Sequence, residues 1–211
     1  MHKKIKELEK EIKKCNKLLI EKDKKIVKLQ VSADYDFLTG LYNRHGFVRE
    51  AEKFLDEVNF PSRRRKEGRR FPIGNFSIIF VDLDDLKKFN DSYGHKAGDK
   101  FIKIAGEIFM NSLREFDIVS RWGGDEFIIG LVGAFEEEAH NVALKIKRKL
   151  AKAKIAGIKG KYKLTASFGV IAAISKKRKK EISNLNELVE KADKAMYEAK
   201  KTQGKNFVMV L

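Results

Sequence analysis

The sequence is short of cysteine, proline, acidic residues and long hydrophobic runs, and each shortage narrows what the chain can be. A single cysteine, Cys15, among 211 residues cannot close an internal disulfide, which fits a reducing compartment and points to the cytoplasm. Both prolines, Pro61 and Pro72, fall in one basic stretch over 60–72, which reads as an exposed loop. No run approaches the ~20 apolar residues of a membrane span, and the charged N-terminus has no signal-peptide core. The chain is therefore expected to be soluble, with no membrane span. Asp and Glu number 30 against 46 Lys and Arg, a formal net charge of +16. That surplus favours anionic partners such as nucleotides, nucleic acid or an anionic membrane surface, unless it is simply the solvation of Lys-rich helices. An aromatic stacking platform and a nucleic-acid recognition motif are both missing, so no specific nucleic-acid partner is expected. What is present is 43% hydrophobic residues, enough for a packed core, in a length that allows one domain of ordinary size plus an appendage.

The appendage is residues 1–33, which contain no Gly or Pro. Ile5, Ile12, Leu19 and Ile26 recur every seven residues, and Leu8, Cys15, Lys22 and Leu29 repeat with the same period, offset by three. This is an a/d heptad pattern with Lys22 as its exception. Isoleucine mostly at a and leucine mostly at d favour a parallel two-stranded coiled coil, which would set Cys15 opposite its copy. The alternative is one amphipathic helix lying on the domain, but the apolar stripe is narrow and flanked by charge. Residues 1–33 thus read as a dimerisation or signalling helix, and 34–211 as the domain that it serves.

Within that domain Arg121-Trp122-Gly123-Gly124-Asp125-Glu126-Phe127 sits between two apolar runs, Ile118-Val119 and Phe127 to Leu131. Two such runs around a Gly-rich break predict a β-hairpin. Gly123 and Gly124 can take positive φ and admit a ligand close to the backbone. Asp125 and Glu126 would then sit at the tip, where adjacent carboxylates repel unless a cation, usually a divalent metal, lies between them.

Upstream, Phe76 to Val81 is a continuous apolar run of strand length, expected to be buried on both faces. It ends in Asp82-Leu83-Asp84-Asp85. The pattern predicts a helix over 46–58, a strand over 76–81, a helix over 99–114 and strands over 117–122 and 126–132. A helix over 136–153, a strand over 162–174, a helix over 185–201 and a strand over 206–210 follow. The first strand and the five elements after it have the order β-α-β-β-α-β, which predicts an α+β, ferredoxin-like fold with a central antiparallel sheet. In that topology the first strand lies antiparallel to the third, so the topology predicts Asp82 and Leu83 beside Asp125 and Glu126.

Several segments together resemble the GGDEF family of diguanylate cyclases, over roughly Asp34 to Leu211. Asp36-Phe37-Leu38-Thr39-Gly40-Leu41-Tyr42-Asn43-Arg44 is similar to its DxLTGLxNR junction, with Asn43 a candidate cap for the next helix. Asp82 to Asp99 resembles DxDxFKxxNDxxGHxxGD, with Leu86 in place of the usual Phe. Ala192 to Lys200 resembles ADxALYxAK, but the following Lys201 to Asn206 is one residue longer than the family's xxGRN and has Lys205 in place of Arg. The resemblance implies a palm-type nucleotidyl cyclase that condenses two GTP into cyclic di-GMP with release of two pyrophosphates.

It also implies roles for individual residues. Asp82, the Leu83 carbonyl and Asp125 would hold Mg²⁺, or Mn²⁺ in its place, since oxygen ligands suit these ions. Glu126 would complete the metal site or accept a proton, and Lys87 would neutralise triphosphate charge. Asn90 and Asp99 would read guanine; His95 would line the base or ribose pocket, or would be a structural residue. Gly123 and Gly124 would border the substrate, and Lys200 or Lys201, with Lys205, would hold phosphates. Arg114 and Asp117 form an RxxD nine residues ahead of Gly123, the family's inhibitory site for cyclic di-GMP. The implied partners are GTP, the product, a second copy of the chain and an upstream sensor domain. A non-catalytic receptor for GTP or cyclic di-GMP is the alternative.

Overall fold

The computed structural model describes residues 2–59, 74–158, 162–174, 184–202 and 204–210. The basic stretch 60–72 lies outside them, as do the side chains of Leu8 and Leu29. In chain order the elements are α1 (His2–Asp34), α2 (Arg44–Asn59), β1 (Asn75–Leu83), α3 (Leu86–Tyr93), α4 (His95–Met110), β2 (Ile118–Gly123), β3 (Glu126–Val132), α5 (Glu136–Lys152), β4 (Ala166–Ile174), α6 (Leu185–Thr202) and β5 (Val208–Val210). The sheet order is β2-β3-β1-β4-β5. β1 runs antiparallel to both β3 and β4, and β2 antiparallel to β3, as expected for the ferredoxin-like order. β5 adds to β4 in parallel, so the five-stranded sheet is mixed rather than wholly antiparallel.

Side chains alternate across a strand, and β1 uses both faces. Ile79, Val81 and Leu83 join the core beneath α3, α4 and α5, whereas Phe76, Ile78 and Phe80 join a second core beneath α2 and α6. Burial on both faces is why this strand reads as an unbroken apolar run. On the second face α6 comes unusually close to β4. A Cβ at Gly169 would lie 2.0 Å from the Ala192 carbonyl oxygen and 2.4 Å from the Met196 nitrogen. A residue with no side chain here lets α6 settle onto the sheet and brings its C-terminal turn over the end of β1.

The helix expected over 99–114 is instead the second of two. α3 and α4 meet at Gly94, whose φ of 81° breaks the helical path, and α4 ends at Met110, so Arg114 lies in the turn before β2. β4 begins at Ala166 rather than at 162. Tyr162 packs on Phe89 with ring centroids 4.6 Å apart.

Among the described residues of α1, Ile5, Ile12, Leu19 and Ile26 are exposed, Ile12 58% and Leu19 59%, so these positions of the stripe do not pack on the domain. The C-terminus of α1 is locked in place. Asp34 is buried and paired with the Arg49 guanidinium, and His45 Nδ1 lies 3.2 Å from Asp34 Oδ1. Asn43 Nδ2 donates to the Ala33 carbonyl at 2.8 Å, while Asn43 Oδ1 accepts from Gly46 N at 2.9 Å. Asn43 therefore caps α2 as expected and closes the end of α1 as well.

Candidate active site

The strand register brings the two acidic segments together. Asp82 on β1 is the direct partner of Glu126 on β3, and Leu83 N donates to the Asp125 carbonyl at 3.0 Å. Directly opposed residues of an antiparallel pair share a face. At the hairpin itself only Gly124 takes a positive φ, 36°; Gly123 is the last residue of β2, at a register irregularity. Lys200, from α6, places Nζ 2.5 Å from Asp82 Oδ1. Burial pushes the Asp82 carboxyl up, Lys200 partly offsets this, and Asp125 and Asp84 add to the rise. Glu126 is raised by burial, then by the charges of Asp82, Asp193 and Asp125. Asp193, on α6, is itself raised by burial, with Lys200 opposing. These carboxylates share the field of one ammonium group. They are poised to take up further positive charge.

The two remaining aspartates of the β1 end have different work. Asp84 is buried, and both of its oxygens are used. Oδ1 accepts from Ser167 Oγ at 2.8 Å and Oδ2 from Asn206 N at 2.9 Å. It is a structural tie between β1, β4 and the segment after α6. Asp85 has φ 59° and ψ 21°; its Oδ1 lies 2.6 Å from Lys205 Nζ and 3.0 Å from Lys88 Nζ. The fold thus separates the C-terminal lysines: Lys200 and Lys205 reach the acidic end of β1, whereas Lys201 is exposed on α6. Lys87 is exposed on α3 without a role in these ion pairs.

Beside this cluster, α3 and α4 meet tightly. Asn90 Oδ1 is buried without a hydrogen-bond partner, and a Cβ on Gly98 would lie 1.8 Å from it. Glycine at 98 leaves the room that the Asn90 amide occupies, and the unpaired oxygen can accept from a ligand N–H. Asp99 follows Gly98, and His95 lies one turn before it on α4; both are exposed. Phe89, Phe101 and Tyr162 pack together beneath.

The hairpin is tethered from behind. Arg121 donates to the Gly124 carbonyl from Nε at 3.0 Å and Nη2 at 2.9 Å, and Nη1 lies 3.3 Å from Asp36 Oδ2. Asp36 also accepts from Thr39 N at 2.9 Å and Thr39 Oγ1 at 2.7 Å. The junction turn that follows α1 is thereby tied to the tip that carries Asp125 and Glu126. Arg114 and Asp117 sit elsewhere, in a cleft of about 360 Å³ between the turn after α4 and α5, also lined by Glu138 and Lys145. Both Asp117 oxygens accept from backbone, Oδ2 from Arg114 N at 2.9 Å and Oδ1 from Val132 N at 3.1 Å. This carboxylate shapes the turn, and the Arg114 side chain is the member of the pair left to meet a ligand.

Asp193, Asp85 with Lys88, and Lys145 join these sites without a role expected from the sequence. Asp193 lies inside the motif Ala192 to Lys200, which is a usable signal; the others look like ordinary surface charges until folding places them. Among the described residues no three His, Cys, Asp or Glu side chains form a ready-made metal cage. Two facing carboxylates with raised pKa, Asp82 and Glu126, and oxygen donors at Asp125 do fit an ion such as Mg²⁺. Mg²⁺ commonly uses one or two carboxylates and takes its other ligands from phosphate and water.

A ferredoxin-like α+β sheet whose strand ends set carboxylates against lysines, beside a buried unpaired amide oxygen, defines a palm-type domain suited to nucleotide phosphates. Residues 33–206 match the family model described as the diguanylate cyclase GGDEF domain, and the chain belongs to that family. It is 33% identical over 178 residues to the diguanylate cyclase DgcS of Shewanella oneidensis, covering 84% of this chain and 53% of that protein. It is 35% identical over 157 residues to the cyclic di-GMP phosphodiesterase NbdA of Pseudomonas aeruginosa, covering 74% of this chain and 18% of that protein. The chain thus spans about half the length of the first relative and a smaller part of the second. Its fold is similar to the coiled coil and GGDEF domain of DgcB from Caulobacter crescentus in complex with cyclic di-GMP. There the TM-score is 0.80 at 20% identity, covering 97% of this chain and 99% of that one. Among the described residues no helix is long and apolar enough to cross a membrane.

Proposed function

We propose that this chain is a diguanylate cyclase that joins two GTP molecules into cyclic di-GMP and releases two pyrophosphates. The observation that carries the reading is the pairing of Asp82 with Glu126 across β1 and β3, with Lys200 at Asp82 and an unpaired Asn90 oxygen on α3, the helix that follows β1. Asp82, Asp125 and Glu126, with the Leu83 carbonyl, would hold the divalent ion, which supplies charge neutralisation and a Lewis acid when bound. Lys87, Lys200 and Lys205 orient the phosphates as point charges, with Lys200 exchanging Asp82 for phosphate oxygen. Asn90 and Asp99 accept from the N–H groups of guanine, a donor pattern that adenine does not offer, and His95 and Gly123–Gly124 border the bound nucleotide. Glu126, whose carboxyl is raised by burial and by Asp82, is a suitable acceptor for the proton of the attacking 3′-hydroxyl.

One domain has one such site, so the reaction needs two copies facing each other. The exposed heptad stripe of α1 supports a parallel coiled coil that raises the effective concentration of the second half-site. Arg114 in its cleft supports inhibition by the product, because a guanidinium fork suits phosphate and guanine edges. The likeness to a cyclic di-GMP phosphodiesterase favours a second reading, in which the domain binds nucleotide without turning it over. Incubation of the purified chain with GTP and Mg²⁺, after stripping bound nucleotide, separates the two. Cyclic di-GMP with pyrophosphate supports the cyclase, and tight GTP binding without product supports the receptor.

A further inference from the structure

We infer that Asp85 is an internal competitor of the substrate's phosphates: its carboxylate occupies Lys205 until a polyphosphate displaces it, and so it sets the affinity for triphosphate. The inference rests on the phosphate-binding reading of Lys205 above. Asp85 stands at the N-cap of α3, yet its side chain makes no capping bond. Its carboxylate is turned instead to Lys205 at 2.6 Å and Lys88 at 3.0 Å. The first turn of a helix presents partial positive charge that attracts anions, so a carboxylate here lies in the field that a phosphate would occupy.

The pair is built by the fold and not by chance surface contact. Asn206, at φ 64°, donates its backbone N–H to Asp84 Oδ2 at 2.9 Å, and this fixes the residue next to Lys205 beside the end of β1. Asp85 takes the left-handed backbone region, which Asp, Asn and Gly adopt at little cost. The Asp85 and Lys205 side chains are 31% and 48% exposed. An ion pair that open to water is weak enough for a polyphosphate to replace.

The test is calorimetric titration of the full chain with inorganic tripolyphosphate and, separately, with GTP. Asp85→Asn and Asp85→Gly both suit the left-handed backbone and keep the measurement interpretable if one of them folds poorly. Both are expected to bind either probe about two- to fivefold more tightly than the parent, the worth of one exposed ion pair. Lys205→Gln is expected to cost more affinity in the Asp85→Asn background than in the parent. Binding that is unchanged or weaker in both Asp85 variants, while the parent binds GTP, overturns the inference and leaves the functional reading intact. If no variant binds either probe, the functional reading and the inference are overturned together.

Discussion

Arg121→Met should disable the hairpin through its rear tether while leaving Asp125 and Glu126 themselves unchanged. The guanidinium makes two bonds of normal length to the Gly124 carbonyl, 3.0 and 2.9 Å, and reaches Asp36 only at 3.3 and 3.4 Å. Charge-assisted bonds are usually about 2.7–2.9 Å, so the Gly124 bonds have the better geometry, but the Arg121 and Asp36 side chains are only 16% and 13% exposed, so the Asp36 contact carries a share of the loss as well. Asp36 is not orphaned, because Thr39 still donates to it twice. Hydrogen bonds to charged groups contribute about 1.5–3 kcal/mol net, and water can partly replace the bonds at the exposed Gly124 carbonyl. A loss of about 2–3 kcal/mol is expected, which for a chain of this size lowers Tm by roughly 5–10 °C. Release of the tip displaces Asp125 and Glu126, and a displacement near 1 Å costs about a hundredfold in rate. Turnover should therefore fall far more than the folded fraction. Thermal unfolding is read from Trp122, the single tryptophan, which packs against Phe47 and Phe80 beside the tether. Turnover is read as cyclic di-GMP formed at a temperature where both proteins are folded. A Tm within about 1 °C of the parent together with normal turnover would refute the reasoning.

The remaining predictions concern charge, the second cleft and the helix. Burial, then Asp82, raises the Glu126 carboxyl above its unfolded value, so the folded state binds this proton more tightly than the unfolded chain does. The charged form therefore destabilises the fold at neutral pH, an effect that disappears as pH falls through the raised pKa. Glu126→Gln is expected to raise the metal-free Tm at pH 7 slightly while abolishing turnover; a lower Tm or retained activity contradicts the assignment. Arg114→Ala should relieve product inhibition with no change in Tm. Asp117→Ala, which strips the Arg114 and Val132 amides of their acceptor, should cost about 1–3 kcal/mol of stability in a denaturant titration. Equal effects of the two on Tm would mean that Arg114 is structural. Deleting residues 1–33 keeps the buried Asp34 and should make specific activity fall steeply on dilution; dilution-independent activity would remove the coiled coil as the dimerising element.

Local pattern settled what depends on neighbours in the chain. The apolar run of β1 follows from burial on both faces, the β2–β3 hairpin from glycines between apolar runs, and the α1 stripe from a seven-residue period. The meeting of Asp82 with Glu126 was also legible, because a βαββαβ order leaves the first and third strands antiparallel neighbours. The sheet then fixed the register that opposes these two residues directly. Tertiary structure alone decided the rest. Lys200 and Lys201 are adjacent, and a helix turns by about 100° per residue; the close seat of α6 on Gly169 selects Lys200 for Asp82. Asp85 reads as one more acid in a row of acids, and only the fold gives it a left-handed backbone and sets its carboxylate against Lys205. Asp117 kept its place in a binding motif until folding used both of its oxygens on backbone amides. Spacing along a chain determines which residues can share an element; contacts between elements determine which charge each of them meets.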